Sequence, residues 1–277
     1  MLTTTVDGLW ALQVLTGIES IAPELGLRPH LPSVEPKALA LRHPVTADLR
    51  DAGVIDGLDA VDPTVVEWLT VLSRRDVALI VQVRAPGDGE PARVLLARFA
   101  QWWVTLERSA ELIRIGGAGT ATAEATASTV LTRAIERLCG QLEPAPLRPV
   151  TLDAAATRTA AAGREALHSF LARQRLDADQ LRLLTLAADP DRSAQASIVG
   201  IQSGVESGRF ARTHVDPSAV TIIDTLEGRL LAEDVESAGR RWMIISPGTS
   251  GDIAAAITRM MRRLPARQDW HSYRKVV

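Results

Sequence analysis

Read for the spacing of its apolar positions, the chain alternates between a helical period and families of short strands. Asp62, followed by Pro63, opens a stretch in which Val65, Val66, Leu69 and Leu72 recur at helical spacing. Asp is a good N-cap, Pro fits the first helical turn, and Arg74 and Arg75 suit the negative end of the helix dipole. From Val77 the pattern turns to runs rich in Val, Ile and Leu over 77–84, 93–99, 102–108 and 111–115, which predict a meander of strands. A helix over about 122–138 follows, with Val130, Leu131, Ala134, Ile135 and Leu138 on one side and Gly140 at its end.

Residues 141–150 hold Pro144, Pro146 and Pro149, which cannot continue a helix, and form the best linker candidate. Beyond it the order of elements returns. There is an alanine-rich helical stretch, a helix around Leu167, Phe170 and Leu171, and another opened by Asp177 with Gln180 as in a capping box. Strands are predicted at 197–202, 209–215, 220–225, 229–235 and 241–246. A closing helix carries Ile253, Ile257, Met260, Met261 and Leu264 and stops at Pro265.

Residue echoes accompany the repeated order. Thr5-Val6-Asp7 with Gly17 and Glu19 matches Thr151-Leu152-Asp153 with Gly163 and Glu165. Asp62 with Leu69-Thr70-Val71 matches Asp177 with Leu184-Thr185-Leu186. Val104-Thr105-Leu106 matches Val220-Thr221-Ile222, a register that sets Arg93 on Arg209, and Leu131-Thr132-Arg133 matches Ile257-Thr258-Arg259. The reading is an α+β fold with a pseudo-twofold internal duplication, in which 77–115 and 196–246 join in one central antiparallel sheet flanked by helical bundles. Residues 1–140 and 150–265 are the halves of one compact unit, and 266–277 form a C-terminal tail.

Composition narrows the classes. The chain has 277 residues, 31 Lys plus Arg against 33 Asp plus Glu, and a net charge of -2, so it lacks the field that would draw a phosphate backbone; no nucleic acid is expected. Its one cysteine, Cys139, excludes a disulfide framework and suits a reducing compartment. There is no signal-like amino terminus and no apolar run near the roughly 18–20 residues that span a bilayer, so a cytoplasmic protein without membrane insertion is expected. Lys37 and Lys275 stand against many arginines, a usage typical of GC-rich bacterial genomes.

Catalytic constellations are missing from the pattern. Gly204 to Gly208 and Gly248 to Gly251 have the wrong spacing for a nucleophile elbow. His30, His43, His168, His214 and His271 are scattered, with no Cys or carboxylate at metal-ligand spacing. Gly116 to Gly119, between a predicted strand and a helix, is the one phosphate-binding candidate, but it lacks the third glycine of a dinucleotide fingerprint and the Gly-Lys-Ser/Thr of a P-loop. Asp189-Pro190-Asp191 reads as a helix stop. Trp10, Trp68, Trp102, Trp103 and Trp242 fall in apolar patterns and are assigned to the core, whereas Trp270 lies in the polar tail. No catalytic residue, cofactor or metal is assigned. The alternatives are a nucleotide- or small-ligand-binding protein using Gly116 to Gly119, and a structural homo-oligomer.

Thr3 to Glu19, Pro23-Glu-Leu-Gly-Leu-Arg-Pro29, the midpoint Pro146-Leu-Arg-Pro149, the closing Arg262-Arg-Leu-Pro-Ala and the final Trp270 to Val277 resemble the EspG family of mycobacterial type VII (ESX) secretion systems. The resemblance covers essentially the whole chain and points within the family to the ESX-2 member. It implies a pseudo-twofold α+β fold and a cytosolic chaperone, not an enzyme, that binds the apolar tip of the PPE subunit in PE/PPE heterodimers. The free protein would be a monomer or weak homodimer. It further implies cargo contact through the loop between the second and third strands, which maps to Ala85–Pro91 and is shorter than in some members, and through the C-terminal bundle at about 153–190.

Within that bundle, Leu181, Leu184 and Ala188 follow the stripe that faces a core, while Leu183 and Leu186 fall partly outside it. The expected partner-binding groove therefore lies between Pro86, Gly87, Asp88, Gly89 and Glu90 on one side and Leu183 and Leu186 on the other.

Overall fold

The computed structural model describes residues 1–87, 89–204 and 213–275. The chain opens with strand β1 (Leu2–Thr5), whose last residue caps α1 (Val6–Thr16): Thr5 Oγ1 accepts the Gly8 N–H at 3.1 Å. Two short helices follow, α2 (Lys37–Arg42) and α3 (Val45–Asp51). Asp62 then caps α4 (Pro63–Arg74) as its sequence predicts, accepting from Thr64 N and Val65 N at 2.8 and 3.2 Å. The first meander is β2 (Val77–Arg84), β3 (Ala92–Phe99), β4 (Trp102–Ser109) and β5 (Leu112–Thr120), closed by α5 (Glu124–Cys139).

The second half repeats the plan with β6 (Val150–Asp153), α6 (Ala154–Ala160), α7 (Arg164–Ala172) and α8 (Ala178–Ala187). Then come β7 (Ala194–Gln202), β8 (His214–Val215), β9 (Val220–Thr225), β10 (Gly228–Ser237), β11 (Arg240–Pro247) and α9 (Ser250–Arg263). Of the strand expected at 209–215, residues 209–212 lie outside the described residues, as does Arg209 in its match with Arg93.

All these strands join one antiparallel sheet in the order β1-β5-β4-β3-β2-β7-β9-β10-β11-β6, with β8 beside β9 on β7. The order reads the same from either edge once halves are exchanged, and the seam is β2 on β7, from Val77↔Gln202 to Arg84↔Gln195. Alternation along the strands divides the core. Val77, Leu79, Val81, Ile198 and Ile222 face α5 and α9, while Ala78, Leu95 and Leu106 face α1 to α4, and Ile223, Leu230 and Ile245 face α6 to α8. Helices thus cover both faces, two groups on one and the α5/α9 pair with the tail on the other.

The symmetry corrects one echo. β9 is the counterpart of β3, since both bond to a central strand, so matching Val104–Leu106 with Val220–Ile222 pairs β4 with the wrong partner. β4 corresponds to β10. Glu107 on β4 takes Arg137 of α5 at 2.7 Å, and Glu233 on β10 takes Arg259 and Arg263 of α9 at 2.6 and 3.8 Å. Apolar alternation looks alike on neighbouring strands, so a three-residue echo could not choose between them. The echo of Leu131 with Ile257 does join equivalent positions, both buried, on α5 and α9.

Other expectations also change. Gly116 to Gly119 belong to β5, paired with Thr105, Val104 and Trp103, so they form no loop before a helix N-terminus. The 141–150 segment is tied down: Ala145 N donates to Arg229 O at 2.9 Å, and Arg229 N to Glu143 O at 2.8 Å. His30 does find a carboxylate, Glu35 at 2.9 Å, inside a tight loop. Trp102 is 51% exposed, whereas Trp270 is fully buried.

Trp270 reaches the core because the tail folds back over the α5/α9 layer. Its ring meets Trp103 edge-on with centroids 6.4 Å apart, and its Nε1 donates to Glu124 Oε1 at 3.0 Å. Arg98, buried on β3, donates to the carbonyl oxygens of His271 and Tyr273, and Lys275 N reaches Asp76 at 3.0 Å.

Candidate partner interface

The turn between β2 and β3 and the end of α8 lie at the same end of the sheet, linked through β7. Arg84, the last residue of β2, lies opposite Gln195 of β7, and Gln195 Nε2 donates to Ala187 O at 3.2 Å. Pro86, Gly87, Gly89 and Glu90 are exposed in that turn, with Gly87 at φ 84, a left-handed conformation that suits glycine. Asp88 lies outside the described residues.

Helix α8 is fixed at both ends. Asp177 Oδ1 accepts from Gln180 N at 2.8 Å and Gln180 Oε1 from Asp177 N at 3.0 Å, completing the predicted box. That backbone bond, together with Arg148, holds the Asp177 carboxyl below its usual range. At the far end Ser193 Oγ donates to Ala187 O at 2.9 Å.

Leu183 and Leu186 do not face outward. They are 2% and 6% exposed, packed with Leu171, Leu184, Ala187 and Leu230, while Leu181 is the partly exposed one. The helix lies between α7 and the sheet and buries two sides, so its surplus of leucines is internal packing. The turn is therefore exposed as expected, but the two leucines cannot form the other wall of an open groove.

What is open is a groove of about 510 Å³ between the bundle and the sheet. Leu167 and Leu171 of α7 and Ala188 at the end of α8 form one wall, and Ile223, Met243 and Ile245 form the floor. A second depression, about 480 Å³, lies against the outer side of α7 and α8 and shares Leu167, Leu171 and Ala188. Arg164 spans the rim, 2.7 Å from Asp189 and 3.5 Å from Asp191. An apolar floor with a charged, solvated rim is the anatomy of a surface that accepts another protein's apolar side chains. Leu167 was visible in sequence only as a helical apolar residue, and Ile223 and Met243 only as strand positions; no local signal marks which of them line an opening.

Cys139 is partly buried, and burial pushes its thiol up to about 11, so it is no activated nucleophile. Among the described residues no three of His, Cys, Asp and Glu gather in a way that could hold a metal ion, and no helix is long and apolar enough to cross a membrane.

A sequence profile of the EspG family matches residues 5–259. The chain belongs to the EspG family. It is 52% identical over 277 residues, the whole of both chains, to the ESX-2 secretion-associated protein EspG2 of Mycobacterium tuberculosis. To the ESX-3 secretion-associated protein EspG3 of Mycolicibacterium smegmatis it is 28% identical over 269 residues, covering 95% of this chain and 86% of that one. The fold is shared with the type VII secretion chaperone EspG5 of M. tuberculosis, solved in complex with a PE25–PPE41 dimer. The TM-score is 0.72 at 22% identity, covering 95% of this chain and 96% of that one.

Proposed function

We propose that the chain is a cytosolic, non-enzymatic chaperone of the ESX-2 system that binds the apolar tip of a PPE protein within a PE/PPE heterodimer. It keeps that cargo soluble and aids its delivery for secretion. The observation that carries this reading is the shared fold with EspG5, a protein solved with a PE/PPE dimer bound. The physical role is coherent: a helical protein with an exposed apolar tip self-associates unless a partner covers it. We place the tip at the end of the sheet that carries the exposed Pro86, Gly87, Gly89 and Glu90 and the groove walled by Leu167 and Ala188.

Coexpression with the PE/PPE pairs encoded beside ESX-2 tests the function, and a complex with one heterodimer is the expected result. Failure of every such pair to copurify with the folded chain would remove this cargo class. Ala188→Arg tests the place. A cation suits a helix C-terminus, so the fold should persist, while the side chain fills the groove and cargo capture should fall at least about tenfold. Full capture by the folded variant would move the site elsewhere. Charge reversal at Glu90 should change the association rate more than the final affinity, as rim charges do, in surface plasmon resonance.

A further inference from the structure

Among the described residues, four pairs of neighbouring strands are joined by two-residue turns: Ala100-Gln101, Ala110-Glu111, Leu226-Glu227 and Ala238-Gly239. Three of them share one construction. Alanine stands first, at φ 61, 50 and 52, the left-handed conformation that tight hairpins favour and bulky side chains avoid. The turn between β9 and β10 is built differently. Leu226 is not left-handed; the positive φ falls on Gly228, at 118, while Thr225 Oγ1 donates to Gly228 O at 2.8 Å and accepts from Glu227 N at 3.1 Å. The pseudo-twofold that sets Glu233 on Glu107 sets Leu226 on Ala100, at the opposite end of the sheet. Equivalent hairpins thus carry leucine in one half and alanine in the other.

Leucine adds nothing to the free fold at this position, since Leu226 is 86% exposed and buries almost no apolar surface. The backbone that carries it is nonetheless fixed. Besides the Thr225 bonds, Glu227 pairs with Arg182 of α8, and Arg229 N donates to Glu143 O at 2.8 Å, fastening the hairpin to the 141–150 segment. That segment runs so close that a Cβ on residue 228 would meet Ala145 N at 2.7 Å. A large apolar side chain presented from a fixed point loses little freedom when a partner covers it.

Its place selects the occupant. Asp224 of β9 lies opposite Ala194 of β7, and Arg84 of β2 lies opposite Gln195. The tip at Leu226 and the turn carrying Pro86, Gly87, Gly89 and Glu90 therefore stand at the same end of the sheet, with only β7 between their hairpins. Leu142, 43% exposed and next to Glu143, adds a second apolar side chain in the segment fastened to the hairpin. We infer that Leu226 is an anchor of the cargo site, a knob that enters an apolar recess of the PPE tip. The identity of the occupant rests on the cargo reading; the construction of the turn, its exposure and its position do not.

The test takes the PE/PPE pair that the unaltered chain captures and measures its affinity for variants by surface plasmon resonance. Leu226→Ala should weaken capture between about tenfold and a hundredfold, as loss of a buried leucine contact does, with Tm unchanged. Leu226→Met, which nearly keeps the volume, should lose less. Val215→Ala, an exposed apolar position on β8 at the other end of the sheet, should change nothing. A photoreactive benzophenone amino acid at position 226 should crosslink to the PPE subunit. Unchanged capture by Leu226→Ala, an equal loss in Val215→Ala, or crosslinking to PE alone each overturns the proposal; the crosslink decides should the alanine variant not fold. Unchanged capture by Leu226→Ala while Ala188→Arg is defective would remove the anchor and leave the cargo reading standing, whereas an unaltered chain that captures no pair removes both. Crosslinking between two copies of the free chain, with self-association that Leu226→Ala abolishes, would place a second copy on the hairpin and also overturn it.

Discussion

Arg98 and Glu124 show how single side chains fasten the tail. Arg98 is fully buried, its guanidinium given to two tail carbonyls with Asp76 3.8 Å away, and burial, partly offset by Asp76, pushes it down to about 10. Arg98→Met should free those carbonyls, cost about 2–4 kcal/mol in chemical denaturation, and weaken the near-UV dichroism of the Trp103–Trp270 pair. Glu124 receives Arg262 at 2.8 and 2.7 Å and Trp270 Nε1 at 3.0 Å. The Arg262 bond, opposed by burial and aided by Trp270, lowers its carboxyl to about 2 from 4.5. A depressed carboxylate contributes stability that is complete above the unfolded value and lost as pH falls, so acid unfolding should draw on Glu124 between about pH 4.5 and 2. Glu124→Gln should flatten the stability profile in that window, removing about 1–3 kcal/mol at neutral pH. A profile parallel to wild type would show that the carboxylate is not so held. Trp270 was conspicuous in sequence as an aromatic in a polar tail, but its partners lie far away in the chain, and no spacing rule reaches them.

Elements with strong local signals were legible, and those defined by distant partners were not. The strand from Val77 to Arg84 and the helix capped by Asp62 form where caps and apolar runs place them. β1 and β6 are four-residue edge strands whose identity depends on pairing with β5 and β11, and their sequences carry no run long enough to show it. Four residues with three glycines predict a turn, since glycine usually ends a strand; in β5 a bulge between Trp103 and Val104 and a tryptophan-walled groove accommodate them. In α8 the stripe of Leu181, Leu184 and Ala188 holds at Leu184 alone, since Leu181 and Ala188 are partly exposed, and the pattern could not show that a second layer covers Leu183 and Leu186. Leu183→Ala and Leu186→Ala should each therefore cost about 2–4 kcal/mol, measured by urea denaturation, as expected for a buried leucine. A cost below about 1 kcal/mol at either position would return that face to the surface.

At the scale of the whole molecule the repeat is closed by contacts that cross it. β2 pairs with β7 along the seam, Ser128 of α5 meets Thr258 of α9 at 3.3 Å, and Arg262 of α9 grips Glu124 of α5. The segment after each closing helix is held in the same manner, through its carbonyls by a buried arginine. Arg229 donates to Cys139 O and Gly140 O at 2.7 and 2.9 Å after α5, and Arg98 takes the tail after α9. The proline-rich midpoint is thus a strap across β10, and the halves it joins share one sheet and the α5/α9 core layer. We propose that they fold as one unit. Unfolding should then follow a single transition, coincident by far-UV dichroism and tryptophan fluorescence. Residues 1–140 and 141–277 expressed separately would each expose a central strand as a bare apolar edge and should aggregate, while coexpression should yield a soluble complex. Two resolved transitions, or a soluble, folded single half, would show that the seam joins domains able to stand alone.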